Sequence, residues 1–173
     1  MNETEIAFEN AEQPTKAPTF LIVLVILTLI NTGLALLGGV FSLVVGKPSE
    51  KEILESKVQM AKPIIELRKL EMDYFVDVFT KLEAINDAMY ANFIMFNMLG
   101  VFIALIGAAS AFMMLKRMKL GFHAYIVYSF LSILSVYAFV DPSNVPTILI
   151  VTNTLLAGLF VFLYSRNLKW LTK

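Results

Sequence analysis

The chain of 173 residues has no cysteine and a single histidine, His123. The first absence removes disulfides, thiolate metal sites and cysteine nucleophiles in one step. The second leaves no histidine and acid cluster on any helical face, and the sequence also has no glycine-rich phosphate loop and no serine set beside a base. An enzyme is therefore not expected, and neither are a cofactor, a metal or a nucleic-acid partner. The most informative absence is of charge: Phe20–Gly46, Ala88–Leu115, Leu120–Val140 and Pro142–Ser165 contain no Asp, Glu, Lys or Arg.

Each of those runs is long enough for a bilayer core, which takes about 20 apolar residues to cross as a helix. Strands would need alternating polarity, and these runs are continuously apolar, so helices are the only elements that satisfy their own backbone in lipid. The fold class read from the sequence is an all-α integral membrane protein. It has four transmembrane helices and an extracytoplasmic helical hairpin between the first and second. The expected organisation is an acidic leader (1–19), spans at 20–46, 90–115, 120–140 and 145–165, an amphipathic helical segment at 47–89, and a basic tail at 166–173. The 27-residue apolar run after an acidic leader is too long for a cleaved signal and reads as a retained first helix.

The charges are sorted along the chain although they sum to zero. Lys116, Arg117 and Lys119 fill the turn between the second and third spans, and Arg166, Lys169 and Lys173 follow the fourth, with no acid among them. By the positive-inside rule both patches, and with them both termini, face the cytoplasm and 47–89 lies outside. In hydropathy layout the chain resembles many small bacterial four-span proteins, which implies the inner membrane.

Within 47–89, Ser49 precedes Glu50 and Glu52 as a helix cap should. Ile53 or Leu54, Val58, Ala61 and Ile65 follow at helical spacing until Pro63 interrupts or restarts the helix. Beyond it Phe75, Val78, Leu82 and Ile85 recur every three or four residues with Asp73, Asp77, Lys81, Glu83 and Asp87 on other faces. No clear breaker separates Pro63 from Lys116, so one helix from about Ile64 to Leu115 is expected, projecting past the bilayer as a stalk. An exposed apolar stripe on such a stalk seeks cover. The expected function is a non-enzymatic interaction protein, an accessory, scaffold or assembly subunit. It would bind a protein partner or copies of itself through residues 50–89, with Phe75, Val78, Leu82 and Ile85 as the binding stripe.

Gly100, Ala104 and Ala108 stand four apart in the second span, as do Gly107 and Ala111, a spacing that lets helices approach closely in lipid. Asn31, Asn97 and Asn153, with scattered Ser and Thr, are expected to hydrogen-bond between helices. The alternative function, a small transporter, channel or permeability-modulating protein, would use the same groups to line a polar path. Ionisable residues deep in the spans, the usual mark of such a path, are missing. His123, four residues past Lys119, reads as an interfacial residue, as do Tyr90, Tyr125, Tyr164 and Trp170.

Overall fold

The computed structural model describes residues 17–172, and within them the chain forms six α-helices. The acidic leader up to Lys16 and the terminal Lys173 lie outside the described residues. Four of the helices are long and apolar enough to cross a membrane: α1 (Thr19–Val45), α4 (Phe93–Leu115), α5 (Lys119–Leu134, continued by a 3-10 turn to Ala138) and α6 (Thr147–Ser165). Between α1 and α4 lie α2 (Glu50–Lys69) and α3 (Asp73–Ala91).

Local chemistry fixes most of the ends. Gly46, at φ 89°, turns the chain out of α1 in a conformation that favours glycine. Ser49 then starts α2 with a capping box. Its hydroxyl accepts the Glu52 N–H at 3.3 Å, and the Glu52 carboxylate accepts the Ser49 N–H and O–H, each at 2.7 Å. Those two donated hydrogen bonds hold the Glu52 carboxyl below its ordinary range. At the same end of the bundle Asp141 accepts the Ser143 N–H at 2.9 Å and its O–H at 2.6 Å, closing the turn before Pro146 and lowering the Asp141 carboxyl in the same way.

Two expectations along this stretch are corrected. Pro63 lies inside α2 and neither ends nor restarts it. Proline removes one backbone donor, and burial of the adjacent Ile64 holds the helix through that loss. The single helix from Ile64 to Leu115 is not formed either. The chain reverses at Leu70–Met72, where Glu71 takes φ 55°. The Met72 N–H reaches the Leu67 carbonyl at 3.0 Å and the Glu71 N–H reaches Arg68 at 3.2 Å, which is a Schellman closure with glutamate in the left-handed seat. Arg117, φ 65°, ends α4 by the same pattern, with Met118 bonded to Met113 and Arg117 to Met114, both at 3.0 Å. A second interruption at Asn92 (φ −111°, ψ 33°) separates α3 from α4.

In the bundle, α4 packs extensively on α1 and on α5, while α6 leans on α5 and touches α1 more sparingly. Contact is closest at three glycines, and a Cβ on Gly39 would lie 2.6 Å from Val101 Cγ2. A Cβ on Gly107 would lie 2.7 Å from Thr32 Cγ2 and from Tyr128 Cε2, and one on Gly121 would lie 2.7 Å from the Met114 backbone nitrogen. The buried core gathers at the end bearing the basic turn: Leu21, Leu24 and Val25 meet Met114, Phe122, Tyr125 and Tyr164. The C-terminal segment closes it, with Trp170 and Leu171 buried and the Arg117 guanidinium 4.9 Å above the Trp170 ring. Toward the opposite end the bundle loosens. The C-terminal half of α1 exposes Leu34, Leu37, Phe41 and Val44, and only 6% of the apolar window of α6 is buried. A surface this apolar over four helices far exceeds the few hundred Å² that soluble monomers expose, and is compatible with a membrane helical bundle.

Candidate functional site

Two features stand out against that frame: the α2–α3 pair and a polar cleft in the bundle. The pair is held by polar contacts along one line. Lys57 Nζ lies 2.8 and 2.9 Å from the two Asp87 carboxylate oxygens, Asn86 Nδ2 donates to Met60 Sδ at 3.4 Å, and the Tyr90 hydroxyl donates to Ser56 at 3.5 Å. The hydrogen bond to Asp87 raises the Lys57 ammonium above its ordinary value of 10.5. Elsewhere α3 meets the 142–144 turn and the start of α4, so the pair joins the bundle at the end away from the basic turn.

Asn86, Asp87 and Tyr90 identify the side of α3 that faces α2. At about 100° per residue the same side carries Val76, Phe79 and Glu83. The stripe of Phe75, Val78, Leu82 and Ile85 lies roughly 110° around the helix from it. Phe75 is exposed, edge-on to Tyr74 with ring centroids 5.5 Å apart, and Val78, Leu82 and Ile85 are half-buried. On α2 the residues turned from α3 are Leu54, Val58 and Ile65, exposed at 62, 52 and 54%. The turn between the helices adds exposed Leu70 and Met72, which the sequence reading passed over because it ran a helix straight through them.

The residues of the small-residue motif part company. Ala104 is buried and Ala108 half-buried, whereas a Cβ on Gly100 would meet nothing within 4 Å. Gly107 and Ala111, the neighbouring pair, are both buried. His123 is exposed, its Nδ1 donating to the Lys119 carbonyl at 3.0 Å.

The cleft, of about 430 Å³, lies between α1, α5 and α6. Asn31 and Asn153 both line it, with Tyr128 and Ser132 between them, and Asn31 Nδ2 donates to the Tyr128 hydroxyl at 3.1 Å. Asn97 does not line it and donates instead to the Phe93 carbonyl of its own helix at 2.8 Å. Toward the basic end Thr28 and Tyr125 line the cleft, and behind them lies the buried Tyr164, its hydroxyl oxygen 2.8 Å from that of Thr28 and its ring 4.6 Å from that of Tyr125. Tyr125 and Tyr164 thus belong to the packed interior, not to an interfacial belt. Among the described residues no three acid or histidine side chains gather as metal ligands would. Comparison with family models, with curated proteins and with solved structures returns no match.

Proposed function

We propose that this is a non-enzymatic interaction protein of the bacterial inner membrane, an accessory, scaffold or assembly subunit. Its α2–α3 hairpin stands outside the cytoplasm and docks onto a protein partner or further copies of the chain. The observation that carries the reading is the division of labour on the hairpin. Lys57 with Asp87, Asn86 with Met60 and Tyr90 with Ser56 hold the two helices together, while Leu54, Val58, Ile65 and Phe75 stay exposed on other faces. Apolar side chains left in water on a segment clear of the bundle gain roughly 25 cal/mol per Å² on being covered. Both termini are cytoplasmic in this reading, from the Lys and Arg in the 116–119 turn and the tail.

The test is the mass of the intact assembly released in mild detergent, for the parent and for a Val78→Asp, Leu82→Asp variant. A parent heavier than the 19.4 kDa chain and a variant reduced to that mass support docking through the hairpin. A parent that runs alone sinks it. The second reading, transport or permeation, draws on the polar lining of the α1–α5–α6 cleft. It is weakened by the lack of any acid, lysine, arginine or histidine along the lining.

A further inference from the structure

The cleft between α1, α5 and α6 has no part in docking by the hairpin, and its chemistry is specific. Two carboxamides, Asn31 and Asn153, and two hydroxyls, Tyr128 and Ser132, converge on it from three helices, with Leu27 and Phe160 among its apolar walls. The Asn153 carboxamide and the Ser132 hydroxyl make no hydrogen bond within the described residues. Asn31 uses one donor on Tyr128, whose own hydroxyl hydrogen is left to point elsewhere. In hydrocarbon each unmet group is costly, so several of them facing one concavity favour an occupant that meets them together.

Size narrows what that occupant is. At about 430 Å³ the cleft is of the size that takes a small molecule or one part of a lipid. From Tyr125 to Ile133 the wall formed by α5 rises about 12 Å, so the cleft runs lengthwise along that helix. Charge narrows it further. With no acid, lysine, arginine or histidine in the lining, a charged head would be desolvated without a partner. At one end the Thr28 hydroxyl is engaged with Tyr164, whereas the other end lies among the loosely packed turns of α6, exposed from Val151 to Leu156.

We infer that this cleft binds an uncharged amphiphile taken from the lipid phase, its hydroxyl or carbonyl oxygens held by Asn31, Ser132 and Asn153 and its apolar part lying along α5 and α6. The inference rests on the four-span reading of the bundle and is independent of what the hairpin binds.

Photo-cross-linking tests it on the full chain in phosphatidylcholine vesicles. One sample carries diacylglycerol with a diazirine on the acyl chain near the glycerol, the other phosphatidylglycerol with the same chain, so that only the head differs. The expected result is labelling by diacylglycerol at Leu27–Asn31 and at Asn153–Phe160, several-fold above that by phosphatidylglycerol. Ser132→Val with Asn153→Leu should reduce this labelling about fivefold or more, from the loss of two hydrogen-bonding groups. Thr152→Leu, an exposed neighbour outside the lining, should leave it unchanged. Parallel thermal unfolding shows that the double variant is folded, and Ala157→Phe, which fills the cleft by bulk without removing a polar group, must reduce labelling as well. Equal labelling by the two lipids at these sites would mean ordinary boundary lipid and overturn the inference. So would cleft labelling that survives both variants, no labelling in the cleft at all, as for a water-filled cleft, or high-yield disulfide formation between copies of an Asn153→Cys variant.

Discussion

Replacing Val78 and Leu82 by aspartate separates the proposed docking role of α3 from its role in the hairpin, because the two lie on different sides of one helix. Both side chains are half-buried in the free protein, and the contacts made by Asn86, Asp87 and Tyr90 put the α2-facing side roughly 110° away. Covering what remains exposed of a half-buried Val and Leu contributes about 1 kcal/mol each, half of the ~1.5–3 kcal/mol for complete burial. A carboxylate forced unpaired into the same contact costs about 1–3 kcal/mol or more in its place. For two sites the loss is about 4–8 kcal/mol, a factor of roughly 10³ to 10⁶ in Kd at about 1.4 kcal/mol per tenfold. The fold should lose about 2 kcal/mol, the part of each side chain's burial already made in the free protein, and the hairpin should persist. Intact-mass measurement across a dilution series reads the first number and thermal unfolding in the same detergent reads the second. Asp73→Ala, on an exposed residue of α3, is the control and should match the parent in both. Phe79→Asp, on the side facing α2, should reverse the pattern by lowering the melting temperature of the hairpin itself. An association that survives the double aspartate variant undiminished refutes the argument that this stripe is the docking surface.

Topology is checked by cysteine labelling of whole cells: Glu55→Cys should react from outside and Met118→Cys only after permeabilisation, and the opposite pattern inverts the orientation. Gly121→Ala should destabilise the bundle by about 1–3 kcal/mol because its Cβ meets backbone at 2.7 Å, whereas Gly100→Ala, with open space around it, should be neutral or stabilise by up to about 1 kcal/mol. Both are read from thermal unfolding in detergent. A double-mutant cycle of Thr28→Val and Tyr164→Phe should give a coupling of about 0.6–1.7 kcal/mol for their buried hydrogen bond. The hairpin should weaken at both extremes of pH. Glu52, held low by Ser49, supplies stability that is present above its ordinary 4.5 and is lost as pH falls through the lower folded value. Lys57, held high by Asp87, supplies stability that is present below 10.5 and is lost as pH rises through the higher folded value. Glu52→Gln and Lys57→Met should each flatten only its own limb of the hairpin's pH profile, followed by helical signal on heating.

Hydropathy made the four apolar helices readable because it is a sum over 20 or so residues, and no single side chain can mislead it. The α2 cap was readable for a different reason, since Ser49 and Glu52 act on adjacent backbone and need nothing from the rest of the fold. What failed was the reversal at Leu70–Met72. Sequence reading finds a helix end by its glycine, and here the left-handed seat is occupied by Glu71, at a local cost of about 1–2 kcal/mol. That cost is recovered from contacts remote in sequence, among them Lys57 with Asp87 thirty residues on, which no local pattern reveals. Pro63 misled in the opposite direction, a breaker overruled by the packing of Ile64. The cleft was legible only as a roster of polar residues. Asn31, Asn97 and Asn153 look alike in sequence, and it is helix rotation that sends the first and third into the cleft and turns the second onto its own backbone.

The same reasoning yields a test of the Glu71 explanation. If the reversal is imposed by the packing of α2 on α3 against the preference of the residue, then Glu71→Gly should relieve the left-handed strain while leaving every hairpin contact in place. The gain is bounded: the strain of about 1–2 kcal/mol is offset in part by the greater freedom of glycine in the unfolded chain, leaving about 0.5–1 kcal/mol. Glu71→Pro should destabilise by more than that, because the ring fixes φ near −65° and removes the N–H that bonds Arg68 at 3.2 Å. Glu71→Ala is the discriminating variant: it keeps the Cβ and with it the strain, and should match the parent. An alanine variant as stabilised as the glycine one would show that the glutamate side chain, and not its backbone conformation, is the source of the strain.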